Sequence, residues 1–233
     1  MGDMPVMIIT GTRKGIGEHL AHHYLGKGFV VVGCSRGGSS IDNEYYKHFS
    51  LDVSNEKEVS NMLSYVRNNY SRLDVLINNA GIASMNHSLL TPIHTAERIL
   101  STNVIGSFLL MRESVKLMLP HKYGRIINFT TFAAPFKLEG EAVYAASKAA
   151  VESLTEVLSR EYARYGITVN AVAPPAIKTD LIKGVPRQKM ESLLNRQSIH
   201  RYGTVEDVSN VIDFYIQPES DMVTGQIVYL GGV

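Results

Sequence analysis

Tyr144 and Lys148 are the two residues in this sequence whose types and spacing most directly invite chemistry. They stand in Tyr144-Ala-Ala-Ser-Lys148, so on a helix their side chains fall on one face. An ammonium beside a phenol favours the phenolate and draws the phenol below its ordinary pKa of about 10. The expected result is a general acid able to work near neutrality. The pattern alone is unspecific in a chain with 12 tyrosines, where an ordinary helix surface also produces it.

A second group is suited to phosphate. Gly11, Gly15 and Gly17 follow the apolar run Val6–Ile9 and lead into a helix beginning near Ile16, with Leu20, Ala21, Tyr24 and Leu25 on its apolar side. Glycine lets the chain turn sharply and lets a ligand approach without a Cβ in the way. The helix start then offers unpaired N–H groups and a positive dipole end. A buried strand before the turn and an amphipathic segment after it give the motif the context of a dinucleotide site.

Alternating strands and helices must hold these residues. The apolar runs predict strands at Val6–Ile9, Phe29–Val32, about Tyr46–Leu51, Val75–Ile77, Arg125–Phe129, Ile167–Val172 and Ile227–Leu230. Between them, Ser54 or Asn55 caps a helix carrying Val59, Met62, Leu63 and Val66. A long helical stretch runs from beyond Gly81 to about Leu119, where Pro120 stops it. Further helices are expected at Ala142–Tyr165, ended by Gly166, and at Thr204–Ile216. Residues 176–200 read as polar and irregular, too long for an ordinary connection, and are expected to form a lid. This alternation implies right-handed crossovers and a parallel sheet covered on both faces. Ligands of such sheets lie beyond the carboxyl ends of the strands, which here carry Ser35-Arg36, Asp52, Asn78–Gly81, Thr130-Thr131 and the Pro174 segment.

Composition sets the outer bounds. A chain of 233 residues with no compositional break fits one domain over residues 1–233. A net charge of +1 points to neither nucleic acid nor a membrane surface. Cys34 is the only cysteine, as suits a reducing compartment, and is expected to be a packed small residue. Met-Gly-Asp-Met-Pro does not read as a secretory signal, Val6 replaces the Ser or Thr of a myristoylation signal, and no apolar run approaches ~20 residues. The expected location is cytoplasmic. His19 and His23 have a zinc-compatible spacing with His22 beside them, but without a third ligand they are expected to pack or face solvent, so no metal is expected.

Thr10-Gly11-x-x-x-Gly15-Ile16-Gly17, Asn78-Asn79-Ala80-Gly81, Asn103, Tyr144-x-x-x-Lys148 and Gly166-Ile167-Thr168-Val169-Asn170 occur in that order. Together they resemble the short-chain dehydrogenase/reductase family over essentially the whole chain, closest to its 3-oxoacyl-[acyl-carrier-protein] reductase branch. The resemblance implies one doubly wound Rossmann-fold domain, an α/β structure with strand order 3-2-1-4-5-6-7. It implies that Tyr144 protonates a substrate carbonyl as hydride arrives from the nicotinamide, and that Lys148 holds the ribose hydroxyls and lowers the tyrosine pKa. Asn103 would sit in a water-borne proton relay. Thr131, thirteen residues before Tyr144, stands where the family usually has serine, with Thr130 the weaker candidate. The implied cofactor contacts are Gly11, Arg13, Lys14, Gly15, Ile16 and Gly17, then Ser35 and Arg36, Asp52 and Val53, and Asn79, Ala80 and Gly81. Tyr144, Lys148, Pro174, Ile177 and Thr179 complete them. Asp52 either contacts adenine or caps its strand end.

NAD-specific sites place an acid about 20 residues past the glycine turn. Here Ser35 and Arg36 stand there with Lys14 on the same side, which favours the 2′-phosphate of NADP(H), unless Arg36 is a solvated loop charge. Lys183, Arg187 and Lys189 make the lid basic; a solvated face or an anionic substrate arm such as a phosphopantetheine carrier would account for them. Lys122 and Arg125 are further candidates to dock an acidic carrier. Two positions depart from the family pattern: Pro175 stands where glycine usually follows Pro174, and Leu230 replaces the polar residue before the final Gly-Gly. The expected activity is NADPH-dependent reduction of a carbonyl, or the reverse oxidation, with a 3-oxoacyl thioester as one substrate. Another small ketone, a sugar-derived carbonyl, or a non-catalytic NADP-sensing role is the alternative. The resemblance also implies a homotetramer, and Ala145, Ala146, Ala149 and Ala150 are small enough for helices to approach closely.

Overall fold

A computed structural model describes residues 4–178 and 187–232. β1 (Val6–Thr10) is buried along its whole length, and alternate side chains serve opposite faces of the sheet. Met7 and Ile9 join a core with Leu20 and Tyr24 of α1 (Ile16–Gly26) and Ile212 of α8 (Val205–Ile216). Val6 and Ile8 join the opposite core with Met62 of α2 (Glu56–Tyr70), Leu110 of α4 (Gly106–Met118) and Leu158 of α6 (Ala142–Ala163). The remaining strands are β2 (Val30–Ser35), β3 (Tyr46–Ser50), β4 (Val75–Asn78), β5 (Gly124–Phe129), β6 (Ile167–Ala173) and β7 (Ile227–Tyr229). They form one seven-stranded sheet in the order β3-β2-β1-β4-β5-β6-β7, every neighbouring pair parallel. The expected order and doubly wound fold are observed.

The stretch beyond Gly81 is not one long helix. It runs as a loop with a short 3-10 turn at Ser88–Leu90 before α3 (Ile93–Leu100), because Pro92 occupies the N-cap of α3. A π turn at Ser101–Ile105 then joins α3 to α4. Such a turn holds one residue more than the α geometry, and here it carries the buried Asn103.

The described part of the stretch expected to form a lid is more regular than expected. Within it lies α7 (Arg187–Arg196), whose Met190, Leu193 and Leu194 recur at helical spacing. They pack with Ala133 of α5 (Ala133–Phe136), Leu138, Ala176 and the ring of Tyr144. Thr179 and Lys183, and the side chains of Arg187 and Lys189, lie outside the described residues.

Parallel strands give the sheet two unlike ends. At the amino end, Asp74 accepts the Val6 N–H at 2.7 Å and pairs with Arg72 at 2.6 Å. Arg125 is buried there, donating to the carbonyls of Gly124 and Pro218 with its guanidinium 4.4 Å from the Tyr123 ring centroid. This corrects the expectation of a carrier dock at Lys122 and Arg125. Arg125 is consumed in closing the sheet, and Lys122 flanks the strand end opposite the one that carries the candidate chemistry. Among the described residues no helix is long and apolar enough to cross a membrane.

Candidate active site

The glycine turn is shaped by crowding on one side and space on the other. A Cβ on Gly11, at φ +78°, would lie 2.7 Å from Asn79 Nδ2, and one on Gly17 would strike the Gly11 carbonyl oxygen. Gly15, at φ +66° and capping α1, has nothing within 4 Å of where its Cβ would be. Thr10 ties the turn to the next strand: its carbonyl accepts from Asn79 Nδ2 and its hydroxyl from the Ala80 N–H, both at 2.8 Å. The open side at Gly15, facing the start of an 11-residue helix, fits the diphosphate of a dinucleotide.

A cleft of about 780 Å³ runs from this turn past Ser35, Arg36, Asp52 and Val53 on one side and Asn79, Ala80 and Gly81 on the other. It continues across Ile16, Gly81 and Ile177 into a smaller cavity of about 150 Å³, lined by Thr131, Tyr144, Lys148 and Pro174. The cleft also gathers Arg13, Lys14 and Gly15, and it adds Lys178, which lies in the segment after Pro175 that resembles the family's nicotinamide-holding one, together with Thr102 and Val205, which carry no such signal. Gly17 and Asn103 stand behind it, buried, and Thr179 is outside the described residues. Asp52 behaves as a cap, its carboxylate accepting from the Ser54 N–H at 2.9 Å and hydroxyl at 2.7 Å while it borders the cleft.

Tyr144 and Lys148 sit one turn apart on α6, and both are buried. Their electrostatics differ from expectation. Burial against the apolar α5–α7 cluster pushes the Tyr144 phenol up to about 12, opposed by the Thr131 hydroxyl and reinforced by Glu141. The Lys148 ammonium donates from Nζ to the Phe129 carbonyl at 2.8 Å. Burial brings Lys148 down to about 8, and the Glu152 carboxylate one turn further along pulls it back up. Near neutrality the site therefore holds a protonated phenol and a charged ammonium.

The neighbours divide the remaining roles. Thr131 accepts from the Ala133 N–H at 3.2 Å with its hydroxyl beside the phenol. Thr130 donates to Glu152 Oε1 at 2.5 Å, so its hydroxyl is engaged away from a substrate. Asn103 is held on both sides: Oδ1 accepts from the Ile82 N–H, and Nδ2 donates to the Ile82 carbonyl and to Ser147 Oγ, each at 2.9 Å. Ser147 in turn donates to the Tyr144 carbonyl at 2.7 Å, linking the π turn to the tyrosine's own backbone. Gly81 lies between these groups, since a Cβ there would be 3.3 Å from Lys148 Nζ and 3.4 Å from Asn103 Oδ1. Ser147 and Glu152 were missed from the sequence, though helical periodicity from Lys148 points to Glu152. Pro175 packs its ring on Gly203, and Leu230 packs, partly buried, against the core that holds Met7, Ile9 and Ile77. His23 bonds Asp213 at 3.1 Å, and no group of three or more metal-ligating side chains occurs among the described residues. Cys34 is buried, with its thiol pushed up to about 12 by burial.

A family model described as enoyl-(acyl carrier protein) reductase matches residues 11–232. The 3-oxoacyl-[acyl-carrier-protein] reductase FabG of Rickettsia felis is 32% identical over 231 residues, covering 97% of this chain and 94% of the relative. Among solved structures, ElxO with NADP bound superposes with a TM-score of 0.89 at 29% identity, covering 97% of both chains. A short-chain dehydrogenase from Leptospira borgpetersenii with bound NAD+ gives 0.89 at 25% identity, covering 98% of this chain and 92% of that one. With the glycine turn, Asn79–Gly81, Tyr144 and Lys148 converging on one cleft, the chain belongs to the short-chain dehydrogenase/reductase family, as an oxidoreductase that moves hydride between a nicotinamide cofactor and a carbonyl or alcohol carbon.

Proposed function

We propose that this protein is an NADPH-dependent carbonyl reductase, built as one domain over residues 1–233, whose substrates are 3-oxoacyl thioesters, carrier-bound ones included. The observation that carries the reading is the contiguity of the Gly15 opening with the cavity holding Thr131, Tyr144 and Lys148. The name of the Rickettsia relative supports the substrate class. A reduced nicotinamide, when bound, supplies hydride. Tyr144, held as a phenol by burial, gives its proton to the substrate oxygen. Thr131 donates a hydrogen bond to that oxygen as negative charge develops on it. Lys148 keeps a positive charge beside the phenol and is placed to hold ribose hydroxyls, while Asn103 and Ser147 fix the backbone around both.

NADP(H) is favoured over NAD(H) by charge. Arg36 and Lys14 border the cleft, and the end of β2 carries no carboxylate. Arg13 adds a third cation, its guanidinium lying against Gly37. A cytoplasmic setting fits the single, buried Cys34. A homotetramer is supported by apolar residues left exposed on the helical face: Ile105 and Phe108 around α4, and Val157 on α6.

The test is NADPH consumption across 3-oxoacyl thioesters, other small ketones and sugar-derived carbonyls, repeated with Arg36→Asp. Turnover of the thioesters, with NADPH weakened and NADH spared in the variant, is the expected result. Turnover confined to the other ketones or sugars would replace the substrate class, and equal use of both cofactors would remove the NADP(H) assignment.

A further inference from the structure

The turn that follows β2 is poor in means of holding its own shape. It reads Ser35-Arg36-Gly37-Gly38, and two consecutive glycines leave the backbone unusually free. Its order comes from beneath, from β3. His48, half-buried, places Nε2 2.8 Å from the Gly37 carbonyl and 3.1 Å from Ser35 Oγ. The Ser35 hydroxyl donates to the same carbonyl at 2.6 Å, and Ser50 donates to the Arg36 carbonyl at 3.2 Å. A carbonyl only accepts, so Nε2 is the donor in this bond. Nδ1 is 2.8 Å from the Tyr46 hydroxyl, which is itself 2.8 Å from Thr12 Oγ1, the residue that follows Gly11. The chain of bonds thus runs from the glycine turn, through Tyr46 and His48, to the carbonyl of Gly37.

Gly33 makes room for it. A Cβ there would lie 2.5 Å from Thr12 Oγ1 and strike the Tyr46 hydroxyl. The held turn also seats a cation, since a Cβ on Gly37 would lie 2.9 Å from Arg13 Nη1. Arg36 projects from the same turn and is exposed at the cleft.

We propose that His48 is a positioning residue for cofactor choice: by fixing the Gly37 carbonyl it sets the turn that gathers Arg13 and Arg36 around the 2′-phosphate of NADP(H). This rests on the NADP(H) assignment above. The imidazole itself does not touch the phosphate; it acts through the turn. NADH lacks the 2′-phosphate, so its affinity is insensitive to how well the two guanidinium groups are gathered.

The experiment is titration of the full chain with NADPH and with NADH, following quenching of protein fluorescence, for the unmodified protein, His48→Phe, His48→Gln and Tyr46→Phe. His48→Phe keeps a ring and loses the donor, so the Kd for NADPH rises up to about tenfold, the upper end of what one neutral hydrogen bond is worth, while that for NADH changes less than twofold. His48→Gln retains an N–H donor and restores most of the preference. Tyr46→Phe frees Nδ1, gives an intermediate loss, and supplies the decisive measurement if His48→Phe does not fold. Equal Kd values for both cofactors in the unmodified protein would overturn the NADP(H) assignment. A preference for NADPH that survives intact in His48→Phe, or in Tyr46→Phe should that variant alone fold, would overturn the role of His48 only. A His48→Gln variant as impaired as His48→Phe would show that an N–H donor at this position does not hold the turn, and would also overturn it.

Discussion

Thr131 brings both a hydroxyl and a methyl to the cavity that holds Tyr144, and the two groups can be separated by substitution. Thr131→Val keeps the shape and removes the donor. An oxyanion donor is typically worth ~3–4 kcal/mol, so kcat should fall about 10²–10³-fold with NADPH binding unchanged. Thr131→Ser should be nearly neutral, and Tyr144→Phe should be the severest loss because the proton itself is gone. Steady-state kinetics on one accepted ketone separates the three. The pH profile is a second test. Lys148 loses its charge as pH rises through about 8, whereas Tyr144 stays protonated until about 12. Reduction measured as kcat/KM should therefore be flat below the Lys148 midpoint and decline as pH rises through about 8, with no separate fall near neutrality. Glu152 raises Lys148, so Glu152→Gln should move the decline to lower pH. A profile identical in the two proteins would remove Glu152 from that role.

The elements were mostly legible from periodicity alone. The short apolar runs of β1 and β2, bounded by glycine turns, are strands covered on both faces as expected, and the capping potential of Asn55 is realised by bonds to the Lys57 and Glu58 N–H groups. What failed to show were features decided by tertiary contact. The π turn at Ser101–Ile105 has no residue signature, because it is fixed by Asn103 reaching Ile82 and Ser147 from elsewhere in the chain. α7 was hidden by its polar majority, and only Met190, Leu193 and Leu194 betray the face that covers Tyr144. The direction of the Tyr144 shift was misjudged for the same reason: spacing along α6 places Lys148 nearby, but only the fold reveals how deeply the phenol is buried against α5 and α7. α8 offers a clean measure of how much local signals contribute. Thr204 and Asp207 form a reciprocal capping box. Thr204→Ala should lower unfolding stability by about 1 kcal/mol in urea titration, with no change in the urea dependence.

At the scale of the whole molecule, the helices flanking one face leave Ile105 and Phe108 exposed while the opposite core is closed over by α1 and α8. If that face joins subunits, Ile105→Glu should convert the tetramer to smaller species by light scattering at micromolar concentration; a monomer already in the unmodified protein would refute the assembly. The sheet's two unlike ends carry a practical consequence. Binding groups gather at the carboxyl end, whereas Arg125, Asp74 and Arg72 seal the amino end. Cys34, the sole thiol, is inaccessible. A single cysteine introduced at exposed His121, on the sealed end, would thus be the one handle for maleimide chemistry. A protomer tethered through it to an electrode or a bead would be held by the end of the sheet opposite its cleft.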